Sequence, residues 1–412
     1  MNRPRAFWLL LSVATVGSVA SWLLADVDRQ LQPERLCGRV WTTAPAAPAL
    51  VLFVTLEERE RTVYLSRGSY RSERYDRYVL HVHDGANGAA VQSLPLGDQL
   101  MRQETREPQI LGIVGDVVWL WRDGPEARAL PRLELRCDTT RLQREAPEHA
   151  ALLPETPKGF AVRSEPRSFV LRGRDARLYT LDAATATMVP LAAEDLPPAN
   201  GSQQVDDRFD WLQPPGRSRT FTHPYNVLER SFLTRAGTWY GLLVEAERRD
   251  LAEHVPSGRP YGEVARRLHR ANYTLDGRSP RLDLGTVEVL GDERLLQAGF
   301  LIRRADALWD VPDPSSTLVL AKAMLGEDEP WQLVRLARDG TALWRTSTEL
   351  ADLGEMLDLG THVLFVGQRV GRGSGDPAQR DVRERLVWID ERSGARATLF
   401  VATGDREPAP RP

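Results

Sequence analysis

Polar and apolar residues alternate along much of this chain. In YVLHVHD, residues 78–84, Tyr78, Leu80 and Val82 fall on one face and His81 and His83 on the other, the period of a half-buried strand. Strand–turn–strand segments of this kind recur at 78–96, 117–135, 177–191, 231–244, 268–284, 333–346 and 386–401. Their turns centre near Gly88, Gly124, Ala186, Gly237, Gly277, Gly340 and Gly394, and Asp-Gly or Asp-x-x-x-Gly steps supply the positive φ that such turns need. A further strand precedes several of them, as in SFVL at 168–171, TLVLAKAM at 317–324 and HVLFVGQ at 362–368. Helical patterning is scarce after residue 29. The best candidate, EAERRDLAEHV at 245–255, carries charges on most sides and reads as a surface insertion.

Three or four short antiparallel strands every ~50 residues is the pattern of a propeller blade. The expected fold is therefore all-β, a β-propeller of about seven blades (six to eight). Two sandwich domains are the alternative, since the turn spacing is irregular. APEHAALLPETPKG, 146–159, is the one plausible linker and fits equally as a join between two blades. The Pro-rich, polar GDREPAPRP at 404–412 reads as a disordered tail.

The unit LARDGTALWRT, 336–346, places Asp339 and Gly340 before a strand bearing Trp344. That arrangement resembles the repeat of quinoprotein-type (PQQ-like repeat) β-propellers. Asp182 matches the same turn with Ala186 where Gly is usual, and Asp390 and Gly394 match with Thr398 in place of Trp. The resemblance implies that Gly340 takes a positive φ and that Trp344 is buried between neighbouring blades. As a whole the chain is similar to an uncharacterised group of bacterial single-anchor propeller proteins, a likeness that lends no activity. Quinone-dependent dehydrogenases of the class are usually longer and carry a vicinal cysteine pair, which this sequence lacks.

At the N-terminus, MNRPR is followed by AFWLLLSVATVGSVASWLLA, 6–25, without a charge. At ~1.5 Å per residue the run reaches ~30 Å, enough for one transmembrane helix. Trp8 and Trp22 lie near its ends, and Arg3 and Arg5 predict that residues 1–5 are cytoplasmic. A signal peptide cleaved after Ser18-Val19-Ala20 is the alternative to a signal-anchor. Either way residues 26–412 are exported, with 26–403 the expected propeller ectodomain, and the expected location is the inner membrane, single-pass, with the bulk of the chain in the periplasm. Export gives meaning to the two cysteines: a disulfide between Cys37 and Cys137 is expected, with two buried free thiols as the alternative.

The chain has 412 residues and a formal net charge of −3, so it lacks the basic excess that nucleic-acid binding draws on. Lys158 and Lys322 are its only lysines among 54 basic residues, an arginine bias that fits a bacterial genome of high GC content.

Candidate chemistry is sparse. His81 and His83 share a strand face without a third ligand at a recognisable spacing. Asp310 and Asp313, and Asp206, Asp207 and Asp210, lack the spacing and Gly of an EF-hand. Gly371–Gly375 lacks the Lys and following helix of a phosphate loop. No catalytic residue, metal ligand or cofactor is therefore assigned. In 57–78, tyrosines and arginines interleave, either as an interface or as a solvated hairpin crossed by Arg–Glu pairs. The segment 207–226 is too long and aromatic for a plain connection. Asp210, Trp211, Phe221, His223 and Tyr225 are its candidate binding residues. The expected function is a membrane-anchored, periplasm-facing binding or scaffold protein, non-catalytic, whose partner is an unidentified envelope protein or ligand. The alternative is a propeller enzyme, a quinone-dependent oxidoreductase or a hydrolase.

Overall fold

The structure, a computed structural model, describes residues 29–32, 34–43, 48–65, 69–100, 107–163, 168–191, 225–229, 231–234, 236–244, 265–276, 279–303, 315–324, 328–370 and 382–401. They form an all-β protein of antiparallel sheets. The described residues fall into two compact units, one taking those of 1–41, 52–82 and 90–214, the other those of 42–51, 83–89 and 215–412.

The first sheet contains β1 (Arg29–Gln30), β2 (Arg35–Thr42), β3 (Leu50–Leu65), β4 (Ser69–Asp84) and β5 (Ala90–Leu100), in the order β1-β3-β4-β5 with β2 also on β3. Its long β3–β4 arm is the Tyr- and Arg-rich stretch of the sequence. Arg61 pairs with Glu73 at 3.2 Å and Arg59 with Glu57 at 2.8 Å. The Arg61 guanidinium lies 5.2 Å from the centre of the Tyr75 ring, and Tyr75 and Tyr78 are buried. Much of the Arg–Tyr interleaving is thus consumed inside the arm.

Two four-stranded meanders complete the first unit. One is β6 (Gln109–Val114), β7 (Val117–Trp121), β8 (Pro125–Ala129) and β9 (Glu134–Cys137); the other is β10 (Phe160–Arg163), β11 (Ser168–Arg172), β12 (Leu178–Asp182) and β13 (Thr187–Pro190). Between them run two short helices, α1 (Thr139–Glu145) and α2 (Pro147–Ala150). Asp138 starts α1 by accepting the Arg141 N–H at 2.7 Å, a side-chain cap for an otherwise unsatisfied donor. The expected linker 146–159 is therefore partly helical and joins two sheets. The sheets pack through one core in which Trp119 stacks on Phe169 at 4.0 Å between ring centres. Gly112 lets β6 approach β10, since a Cβ there would strike Val162.

In the second unit, β14 (Tyr225–Glu229), β15 (Ser231–Leu233), β16 (Thr238–Leu243), β17 (Ala265–Asp276), β18 (Ser279–Arg303), β19 (Ser316–Lys322), β20 (Trp331–Ala337) and β21 (Ala342–Ser347) make an eight-stranded sheet. Its pivot is β18. From Ser279 to Leu296 it pairs with β17; from Leu296 to Phe300 it pairs with β19, and from Phe300 to Arg303 with β14. A bulge between Leu296 and Gly299, with Gln297 at φ 49°, marks the change; bulges bend strands in this way. One strand thereby links two meanders, β15–β18 and β18–β21. A last meander holds β22 (Asp352–Asp358), β23 (His362–Val370), β24 (Val382–Asp390) and β25 (Arg396–Phe400). All seven hairpins expected from sequence are present as adjacent antiparallel strands.

Three of their turns are built alike. Asp84 Oδ1 accepts the N–H groups of Ala86 and Asn87 at 2.6 and 3.3 Å, Asp182 Oδ1 those of Ala184 and Thr185 at 2.7 and 2.9 Å, and Asp390 Oδ1 those of Arg392 and Ser393 at 3.1 and 2.6 Å. The fourth residue after each Asp has positive φ: 67° at Gly88, 53° at Ala186 and 72° at Gly394. A neighbouring strand docks onto such a turn. The Trp344 indole on β21 donates to the Arg392 carbonyl at 3.0 Å and lies where a Cβ on Gly394 would meet it at 2.8 Å. The equivalent carbonyl of the second turn, Ala184, accepts instead from Arg141 of α1 at 3.0 Å. Trp344 is half-buried, where the sequence resemblance implied burial: it packs against the turn and against the edge of a core that includes Leu333 and Phe365.

The segment 6–25 lies outside the described residues, as do 245–255 and 404–412; among the described residues no helix is long and apolar enough to cross a membrane. The expected disulfide is not formed: Cys37 and Cys137 are both free thiols. The reason is placement. Cys37 is on β2 of the first sheet, whereas Cys137 ends β9 and is buried beside Leu142 and Phe160 in the core between the next two sheets. Burial pushes the Cys137 thiol up to about 11, which keeps it protonated and inert.

A Cβ on Gly340, at φ 84°, would collide with the Leu290 carbonyl. Gly340→Val should therefore cost at least ~2 kcal/mol in urea unfolding. Trp344→Ala should cost ~2–4 kcal/mol through the lost ring packing and indole hydrogen bond. An unchanged unfolding midpoint for either would contradict the docking role.

Candidate functional site

A cavity of about 400 Å³ opens between the second and third sheets of the first unit. The second sheet supplies Val114, Val117 and Trp119, and the third supplies Ser168, Phe169, residues 180–184, Thr187 and Val189. Local geometry explains the convergence. Gly115, at φ 59°, closes a tight β6–β7 turn that leaves Val114 and Val117 facing each other in register at the sheet's end. In the third sheet, Val170 opposite Thr180 and Asp182 opposite Thr187 bring the start of β11, the end of β12 and the start of β13 together.

The lining is mostly apolar with a few polar points, as small-molecule sites generally are. The stacked Trp119–Phe169 pair forms an aromatic wall. The Ser168 hydroxyl is buried and has no hydrogen-bond partner among the described residues. Thr180 donates to the Val189 carbonyl at 3.3 Å, and the Thr185 and Thr187 hydroxyls bond each other at 2.7 Å. Asp182 sits exposed at the rim. The Thr185 N–H, helped by the Ala184 N–H and the Thr185 hydroxyl, holds its carboxyl below the usual carboxylate range against the effect of partial burial. The rim thus carries a negative charge at neutral pH.

Residues singled out from sequence are distributed elsewhere. Asp206, Asp207, Asp210, Trp211, Phe221, His223, Asp310, Asp313 and 371–375 lie outside the described residues. Tyr225 opens β14, paired opposite Arg303 of β18. His81 is engaged by Thr55 at 2.9 Å, Ser93 at 3.1 Å and Glu34 at 3.4 Å; buried His83 bonds the Gly88 carbonyl at 3.1 Å. Each is held by neighbours in and beside the first sheet. Sequence reading placed the Asp182 turn but did not join it to Trp119, Ser168 and Phe169, because the cavity exists only once two sheets are side by side. The alternation of Val117 and Trp119 on one face of β7 was the available signal. Comparison with protein-family models and with curated proteins finds no match for this chain.

An unpartnered buried hydroxyl is a cost to folding. Ser168→Ala should leave stability unchanged or raise it by up to ~1 kcal/mol in denaturant unfolding. A loss exceeding ~1 kcal/mol would mean that the hydroxyl is bonded within the protein.

Proposed function

We propose that this chain is a non-catalytic binding or scaffold protein built on a β-propeller of quinoprotein-type repeats, held in the inner membrane by residues 6–25 with the rest in the periplasm. The observation that carries the propeller reading is the succession of antiparallel meanders in chain order, linked in part by Asp-capped turns that receive a neighbouring side chain. Counting the long eight-stranded sheet as two meanders joined by β18 gives six blade-like units among the described residues, which supports the reading. The uncharged run 6–25 behind Arg3 and Arg5 supports the anchor and its orientation.

Binding is favoured by the cavity beside the Trp119–Phe169 pair. Its aromatic wall, buried hydroxyl and rim carboxylate suit retention of a ligand or of a partner's side chain. We assign the groove as the binding site of the protein.

Two measurements test this. A reporter enzyme active only in the periplasm, fused after residue 412, should be active; activity of a cytoplasm-only reporter there would overturn the orientation. For the groove, Val189→Arg places a bulky charge on an exposed rim position with little expected effect on folding. Native mass spectrometry of the full chain extracted from membranes should find an unaltered ligand or stoichiometric partner on the wild type and not on Val189→Arg. Retention by the variant would remove the groove from the account, and chemical turnover of the bound molecule would favour the enzyme alternative.

A further inference from the structure

We propose that the groove between the second and third sheets takes a small organic cation, a flat apolar body bearing one ammonium or guanidinium group, with Asp182 as the counter-charge and Ser168 as the inner hydrogen-bond partner. The inference rests on the reading of this groove as the binding site and adds the chemical class of what it binds.

Charge decides the class. Among the described residues, Asp182 is the one formally charged residue of the lining, and two backbone N–H groups fix its position through Oδ1. Arg141 reaches the same turn, yet its guanidinium is already shared among the Ala184 and Arg136 carbonyls and Glu145. A cation seated at the rim therefore meets a fixed carboxylate, whereas an anion would meet like charge and a neutral ligand would gain a hydrogen bond at most. Shape decides the rest. Val114, Val117 and Val189 with the stacked rings offer apolar walls for the flat body, and the Trp119 and Phe169 faces are turned to each other, so Asp182 is what holds the cation. At about 400 Å³ the space is at the small end of the ~300–1,000 Å³ of typical small-molecule sites, so a bicyclic amine fits and a large cofactor does not. The Ser168 hydroxyl, buried without a described partner, gains one when a polar atom of the ligand reaches it.

The test uses the full chain with valine methyls labelled with ¹³C, so that Val114, Val117 and Val189 report from the groove itself. Three probes share one indole body: tryptamine as cation, tryptophol as neutral isostere and indole-3-acetate as anion. Tryptamine should shift the three valine methyls and bind at least ~10-fold more tightly than tryptophol, with indole-3-acetate weakest. Asp182→Asn keeps the acceptor oxygen that the turn uses and should abolish the preference for tryptamine. Should that variant misfold, Val189→Lys on the exposed rim serves in its place and should repel tryptamine while sparing tryptophol. Equal binding of tryptamine and tryptophol, or a preference that survives both variants, would overturn the charge assignment and leave the groove as a site. If none of the probes moves any of the three valines, the groove is not a ligand site, and the reading beneath this inference falls with it.

Discussion

The local device on which this structure depends is a turn in which an aspartate folds back onto the next backbone N–H groups and the fourth residue takes a positive φ. One carboxylate oxygen satisfies two donors that a tight reversal would leave orphaned, which fixes the reversal without help from distant residues. The residue of positive φ then presents a flat stretch of backbone. In the β24–β25 turn this stretch receives the Trp344 ring, and the Arg392 carbonyl takes the indole N–H. Thr346 adds a hydroxyl bond to the Gly394 carbonyl at 2.6 Å. The same turn geometry thus closes a hairpin and docks the neighbouring sheet upon it.

The β12–β13 turn shows how the device is varied. Ala186 occupies the positive-φ position at 53°, a conformation that costs an L-residue roughly 1 kcal/mol or more. Its methyl is completely buried in the core that contains Trp119 and Phe169, which offsets that strain. Arg141 replaces tryptophan as donor to the turn carbonyl. Asp182 is exposed at the rim of this turn, where the cavity begins.

How much of this was legible beforehand varies by residue. Asp339, Gly340 and Trp344 mark their hairpin in the sequence because turn chemistry is local. The run from Ser279 to Arg303 was not legible as one strand: the expected hairpin ended at 284, and the bulges of β18 follow from pairing with β17 and β19 on different sides. Helix α1 is too short for periodicity to reveal and is set by the Asp138 cap. The cysteine pairing failed as an inference because compartment and even number say nothing of distance. Cys137 belongs to a core that Cys37 does not enter. The groove needed two sheets, separated by more than fifty residues of chain between Val114 and Ser168, to be laid side by side.

The most direct measurement of the central claim is a double-mutant cycle between Asp390→Ala, which removes the turn's acceptor, and Trp344→Ala, which removes the docked ring. If turn and ring form one unit, urea unfolding of the two single variants and the double variant should give a coupling energy of ~1–2 kcal/mol. Additivity within ~0.3–0.5 kcal/mol would mean that the ring rests beside the turn without depending on it, and the account of how these sheets are held would be wrong.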